Sequence, residues 1–309
     1  MTLQQILSML FQGITAASFL ALITFAIVLI FKTSYTTNFA QSSIATFSAY
    51  VITNLFVNIM MVNNPEGNPV MMLLFSIVIG IIVGFGFGLF IDTMLIRKSR
   101  YSNVLTKQMI TMGMILVFSG LFPVVFGVYA QPTPMPLTRR VFELNVGGST
   151  PIYISGHSLI SIVTTIVVLG AIFIALKYTK WGLGVRATAS NEVVAGMMGV
   201  NTKFITAMSW GLAGGIGALA AGLFAPTVFT LSPDLMMGLQ INGFLAAVLG
   251  GFSTFAGPMI AAFIIPISRV FAWQFLSNEW SNAIVYLLVL VIILIKPVGL
   301  LGKRIAKKV

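Results

Sequence analysis

Long apolar runs joined by short polar connectors fill the chain, and their lengths predict helices that cross a bilayer, which takes roughly 20 residues each. The first run, residues 6–31, is too long for a signal-peptide core and predicts a retained membrane helix. A polar interruption, NFAQSS at 38–43, precedes a second helix over about 44–61. Non-helical backbone at membrane depth is tolerated where it is buried in protein or lines a wet cavity. The interruption is therefore either part of a solute pathway or an interfacial loop just outside the lipid. After the turn-rich NNPEGNP at 63–69, a helix over about 70–91 carries Gly80, Gly84 and Gly88 at four-residue spacing, a face that lets another helix approach closely. Further helices are predicted over about 109–129, 159–178 and 205–225, the last with Gly211, Gly215 and Gly222. Between 239 and 271 the pattern breaks at GGFSTFAGP, 250–258, which predicts two shorter helices meeting at a glycine-rich turn, a second place for backbone polar groups to face a cavity. A last helix covers about 282–295. The fold class is an all-α polytopic membrane protein of about eight or nine spans, including broken helices, in a single transmembrane domain over 1–309.

Two connectors are more than turns. The segment 130–157 holds Pro132, Pro134, Pro136 and Pro151 and the run RRVFELNVGG, whose partial alternation fits a short hairpin. His157, the only histidine, stands at the next helix entrance and reads as an interfacial residue, because no second histidine or nearby carboxylate makes it a ligand or base. The segment 178–204 contains WGLGVRATASNEVVAGMMGVNTK. Here Ser190 or Asn191 caps a short helix, Glu192 sits in its first turn where negative charge suits the helix dipole, and Gly199 ends it in a left-handed conformation. Val193, Val194, Met197 and Met198 recur at spacings of three and four, giving an apolar face. That face either repacks against another protein, as flexible methionines favour, or rests on the ends of the chain's own helices.

Composition changes the picture by exclusion. With 58% hydrophobic and 7% charged residues, and a mean hydropathy of +1.03, the chain lacks the charge a soluble domain's surface needs. The net charge of +11 does not indicate nucleic acid, because the basic residues sit at segment ends. Lys32, Arg97, Lys98, Arg100, Lys107, Lys177, Lys180, Arg186, Lys203, Lys296, Lys303, Arg304, Lys307 and Lys308 fall on one side, Arg139 and Arg140 on the other, and Arg269 alone lies within a span, near its outer end. This bias predicts an external N-terminus and a cytoplasmic C-terminus, with 178–204 cytoplasmic and 130–157 extracytoplasmic. There are no cysteines, so thiolate chemistry is excluded. Glu66, Asp92, Glu143, Glu192, Asp234 and Glu279 all fall in loops or near helix ends, which leaves no intramembrane carboxylate for coupling to an ion gradient. No phosphate-loop motif and no catalytic constellation occurs, and no metal or cofactor site is indicated. A helical pore or carrier without its own energy source remains, against which stand an uncoupled channel or facilitator and a non-transporting scaffold.

The run from Arg186-Ala187-Thr188-Ala189 through Asn191 to Met197-Met198-Gly199-Val200-Asn201 resembles the cytoplasmic coupling loop of bacterial branched-chain amino acid ABC transporter permeases. Three further blocks agree in order: NFAQ at 38–41 with Ala49-Tyr50, AAVLGG at 246–251 with Gly257, and KPVGLLG at 296–302. The resemblance implies an ABC importer permease fold. It also implies an integral inner-membrane subunit that pairs with a second permease subunit, docks two cytoplasmic ABC ATPase subunits and receives substrate from an extracytoplasmic substrate-binding protein. Asn38, Gln41, Ser42 and Asn242 are the expected pathway residues, and Arg186, Asn191, Glu192, Met197, Met198 and Gly199 the expected coupling residues. Two departures bear on substrate. Ser42 and Ser43 replace the glycine and acid that commonly follow this block, and Asn242 stands where a lysine often precedes the Phe244 position. Leucine-type amino acids are the default by resemblance, with urea, an amide or a nucleoside as alternatives.

Overall fold

The computed structural model describes residues 3–99, 103–144 and 151–302, without the side chains of Asn278 and Glu279. Arg100, the turn between the two strands of the expected hairpin, and the basic tail at Lys303, Arg304, Lys307 and Lys308 lie outside the described residues. Eleven helices follow in order: α1 Leu3–Ser34, α2 Gln41–Asn63, α3 Pro69–Ile96, α4 Val104–Phe126, α5 Gly156–Tyr178, α6 Lys180–Ser190, α7 Glu192–Met197, α8 Thr202–Phe224, α9 Met237–Gly250, α10 Ala256–Phe275 and α11 Asn278–Ile295. Among the described residues seven helices are long and apolar enough to cross a membrane, and Met237–Gly250 and Trp280–Ile295 are shorter apolar ones. The fold is thus the all-helical multi-pass architecture expected.

Burial separates a central pair from a surrounding ring. The apolar stretches of α1 and α8 are 78% and 83% buried, whereas those of α3, α4 and α5 are 28%, 22% and 17% buried and turn their side chains outward. From Ala17 to Ile30 every residue of α1 is buried, which is what a helix apolar on all sides requires. The helix α8 meets α3 through glycine. A Cβ on Gly214 would stand 2.0 Å from the carbonyl oxygen of Gly84, and one on Gly88 would stand 2.1 Å from that of Trp210, so the two backbones touch. Of the four-residue glycines foreseen on α3, Gly84 and Gly88 form this seam, while Gly80 faces Ile52 of α2.

Polar connectors terminate the helices. Asn68 accepts from the Val70 N–H at 3.0 Å with Pro69 at the first helical position, Asn103 from Thr106 at 2.7 Å, and Asn201 from Phe204 at 3.1 Å. At one end of the bundle β2 (Val141–Leu144) pairs antiparallel with β3 (Ile152–Ser155), Leu144 opposite Ile152, which is the expected hairpin. A second short pair joins β1 (Gln131–Pro132) to β4 (Thr230–Leu231).

Two boundaries depart most from expectation. The second helix begins at Gln41, so only the first half of NFAQSS is non-helical, and residues 54–60 widen into a π-helical stretch. Residues 180–190, expected as loop, form α6, whose Thr179 cap accepts from the Gly182 N–H at 3.1 Å. His157 stands at the helix entrance as expected and is buried within the protein, at 4% exposure.

The glycine seam yields a paired test. Gly214→Ala is expected to lower thermal stability in detergent by about 1–3 kcal/mol, because its methyl group has a backbone carbonyl in its way. Gly86→Ala, on the same α3 but facing open space, is expected to leave the melting temperature unchanged or raise it.

Candidate functional site

At the end of the bundle that carries the hairpin, a cavity of about 530 Å³ opens between the first half of α1, strand β3, α9 and α10. Its wall is largely apolar, from Phe11, Phe19, Phe224 and Leu239, with hydroxyls from Thr15 and Ser155. Its polar end is a cluster on three helices. Asn242 of α9 is buried, and its Oδ1 accepts from Arg269 Nη2 of α10 at 2.9 Å and from the Tyr286 hydroxyl of α11 at 3.2 Å. Its Nδ2 donates to the Gly238 carbonyl at 2.8 Å. Both lone pairs of that oxygen are therefore in use. Arg269 also lies over the Tyr286 ring, 6.0 Å from its centre, and its buried Nε has no hydrogen-bond partner.

Of the four expected pathway residues, Asn242 lies in this wall. Asn38, Gln41 and Ser42 lie elsewhere, buried where the stretch after α1 enters α2, with Gln41 and Ser42 in the first turn of that helix. Asn38 Nδ2 donates to Gln41 Oε1 at 3.1 Å, the Ala40 N–H donates to Asn38 Oδ1 at 3.0 Å, and Gln41 Nε2 donates to the Ala213 carbonyl at 2.8 Å. Ala213 is midway along α8, so the break lies deep in the bundle. Thr111 Oγ1 accepts the Phe39 N–H at 3.2 Å, while Gln240 Oε1 accepts from the Ser42 N–H and Gln240 Nε2 donates to the Phe39 carbonyl at 2.8 Å. Two positions apart on α9, Gln240 and Asn242 point to different sides of the helix, one closing the break and the other facing the cavity. Sequence reading missed Gln240, which sits one residue before the isoleucine that precedes Asn242.

The second break, expected to expose its backbone to a cavity, is sealed by protein. Lys32 Nζ donates to the Ser253 carbonyl at 2.7 Å, and the N–H groups of Leu300 and Leu301 donate to the carbonyls of Leu249 and Gly250 at 2.7 and 3.2 Å. Gly251 and Gly299, both with φ near +90°, make the facing turns.

The opposite end of the bundle carries the expected coupling residues. Asn191, not Ser190, caps α7 by accepting from the Val194 N–H at 3.1 Å, Glu192 stands in the first turn, and Gly199 follows with φ of 86°. Ala195 packs inward, while Val193, Val194, Met197 and Met198 are 67%, 52%, 81% and 80% exposed, so the apolar face points away from the chain. Arg186, on α6, is exposed and lines a shallow surface with Phe173, Leu176, Lys177 and Phe255. The Tyr35 hydroxyl donates to the Ala189 carbonyl at 2.5 Å, tying this region to the first break. Arg97 pairs with buried Asp92 and donates to the Lys203 carbonyl and, at 3.1 Å, to Thr206 Oγ1, which fastens the π-helical end of α3 to the start of α8. His157 has both ring nitrogens occupied: Leu137 N–H donates to Nδ1 at 3.3 Å, which leaves the proton on Nε2 for the Leu223 carbonyl at 3.0 Å. It is a structural clamp between the 130–157 connector and α8.

Gln240→Leu is expected to leave the Ser42 N–H and Phe39 carbonyl buried and unpaired, at about 1–3 kcal/mol each. A thermal melt of the purified protein should fall accordingly, and an unchanged melt would show that water or another donor replaces Gln240.

A family model described as "Branched-chain amino acid transport system / permease component" matches residues 9–294. The chain is 24% identical over 303 residues to the high-affinity branched-chain amino acid transport system permease protein LivH of Escherichia coli K12, covering 98% of this chain and 97% of that protein. It is 24% identical over 305 residues to the corresponding permease protein BraD of Pseudomonas aeruginosa, covering 98% of each. To the probable branched-chain amino acid transport permease protein LivH of Methanocaldococcus jannaschii it is 25% identical over 307 residues, covering 95% of this chain and 92% of that protein.

Proposed function

Because the chain belongs to the family of permease components of branched-chain amino acid transport systems, we propose that it moves leucine-type amino acids inward as an importer subunit driven by ATP hydrolysis on partner subunits. The observation that carries this reading is a family match running nearly the whole length of the fold, with curated relatives aligned end to end. The chemistry supports it. Asp92, the buried acid, is already paired with Arg97 at a helix end, so it does not offer a free carboxylate for ion coupling.

On this reading the partners are a second permease subunit, two cytoplasmic ATPase subunits docking on α7, and an extracytoplasmic binding protein delivering solute at the hairpin end. The N-terminus is external and the 178–204 connector cytoplasmic, as the distribution of basic residues favours. ATPase closure pushes on Val193, Val194, Met197 and Met198. The movement passes through Arg186 and α6 to Tyr35 and the first break, and through Arg97 to α3 and α8. Asn242 faces the solute, while Asn38, Gln41 and Ser42 form the buried joint that rearranges in alternating access.

Met197→Asp places a charge in the docking face, and Gly199→Val forces a β-branched residue into a positive-φ turn. Both variants are expected to reach the membrane in normal amount yet lose ATPase subunits on purification, or hydrolyse ATP without substrate stimulation. Full retention of stimulated ATPase activity and uptake would rule out the coupling role. The absence of native cysteines makes orientation directly testable. Asn64→Cys is expected to react with an impermeant maleimide in intact cells, and Ser190→Cys only after permeabilisation; the reverse pattern would invert the topology.

A further inference from the structure

Resting on the importer reading above, we propose that the cavity at the hairpin end is a receiving site for an α-amino acid, with Arg269 binding its carboxylate and Asn242 and Tyr286 acting as positioning residues. The shape and chemistry of the cavity set the class of ligand. About 530 Å³ is within the range of small-molecule pockets, and a largely apolar wall with a few polar groups at one end suits a solute with an apolar side chain and a charged head.

The charge selects the head. Arg269 stands two turns inside α10, where it meets a neutral amide and an aromatic ring, and no acid pairs with it among the described side chains. A guanidinium beside an apolar wall is costly without an anion, and a carboxylate meets its planar fork with two parallel charge-assisted bonds. Asn242 cannot substitute as an acceptor, because Arg269 and Tyr286 already occupy its Oδ1. Instead it fixes the guanidinium from a second helix, and Tyr286 fixes Asn242 from a third. The polar end therefore donates hydrogen bonds and accepts few, which favours an anion over an ammonium group. The rim also agrees with the direction of delivery, since Tyr153 and Ser155 of β3 line the opening.

The test uses the chain expressed with its partner subunits, purified into nanodiscs of zwitterionic lipid, and a diazirine analogue of leucine as probe, with adducts mapped by mass spectrometry. Adducts are expected on cavity-facing residues of α1 and α9. Excess leucine should suppress them, and leucinamide, which lacks the carboxylate, should compete at least about tenfold less well. Arg269→Gln should reduce labelling about tenfold or more while ATPase subunits still co-purify, and Arg269→Lys should retain an intermediate level, keeping the charge without the fork. Tyr286→Phe preserves the ring and should shift the leucine-to-leucinamide preference toward unity, which a purely structural hydroxyl would not do. Cavity labelling that is absent from the wild type, or equal in Arg269→Gln and wild type with ATPases bound, overturns the site but leaves the importer reading intact. Labelling displaced by phosphatidylglycerol and not by leucine identifies a lipid headgroup and overturns it too. Failure of the wild type to retain ATPase subunits overturns the importer reading and this inference with it.

Discussion

Inside a bilayer there is no water to satisfy backbone N–H and C=O groups, so every departure from helix must be met by another part of the same protein. This chain departs twice, and both breaks are filled by side chains or by a distant turn. Gln240 and Thr111 serve the first, and Lys32 with the 296–302 turn serves the second. The central position of α1 follows, since it runs into one break at its end and supplies Lys32 to the other. So does the separation of the short α9 from the full-length α10, where one of the two shorter helices expected proves long enough to span, because the ends that meet at the break are bonded by other segments.

Local signals were legible in the sequence, and pairings over long separation were not. The glycine spacing on α3, a cap at 190 or 191, the left-handed Gly199 and a strand within 139–148 each follow from neighbours along the chain and, though the hairpin's second strand lies beyond that run, each has its counterpart in the structure. So does the break near 250, because glycine density is a local property. That Gln240 would reach Phe39 and Ser42 is a matter of which helices become adjacent, about which apolar periodicity is silent once helices are apolar on all faces. For the same reason the partners of the 38–43 amides and of the two His157 nitrogens could not be read from the sequence. Helix α6 was missed because two glycines, two alanines, a serine and a threonine dilute its pattern. Arg269 carried a visible signal, a lone cation in an apolar run, whose meaning appears only beside Asn242 and Tyr286.

The polar side chains divide into two populations by depth. Those near the bundle ends cap helices, point outward or, like His157 and Arg97, clamp neighbouring segments. Those in the interior divide by partner: Asn38, Gln41 and Gln240 tie α2 and the stretch before it to α8 and α9, while Asn242 ties α9 to α10 and α11. Amides suit this task because each offers both donor and acceptor without a charge to desolvate.

The span of those bonds in sequence also orders the molecule in time. Synthesis proceeds from the N-terminus, so Lys32 is made 221 residues before the Ser253 carbonyl it will hold, and the Ser42 N–H precedes Gln240 by 198 residues. Until the second half of the chain emerges, the first break has Thr111 for its Phe39 N–H but no partner for the Phe39 carbonyl or the Ser42 N–H, and the segment after α1 must wait at the water boundary or lean on the insertion machinery. The last contacts to form, from Leu300 and Leu301 to Leu249 and Gly250, complete the second break only when nearly the whole chain has been made. A nascent chain stopped before those residues would carry all of the long apolar helices and still leave the carbonyls of that break without the partners that close it.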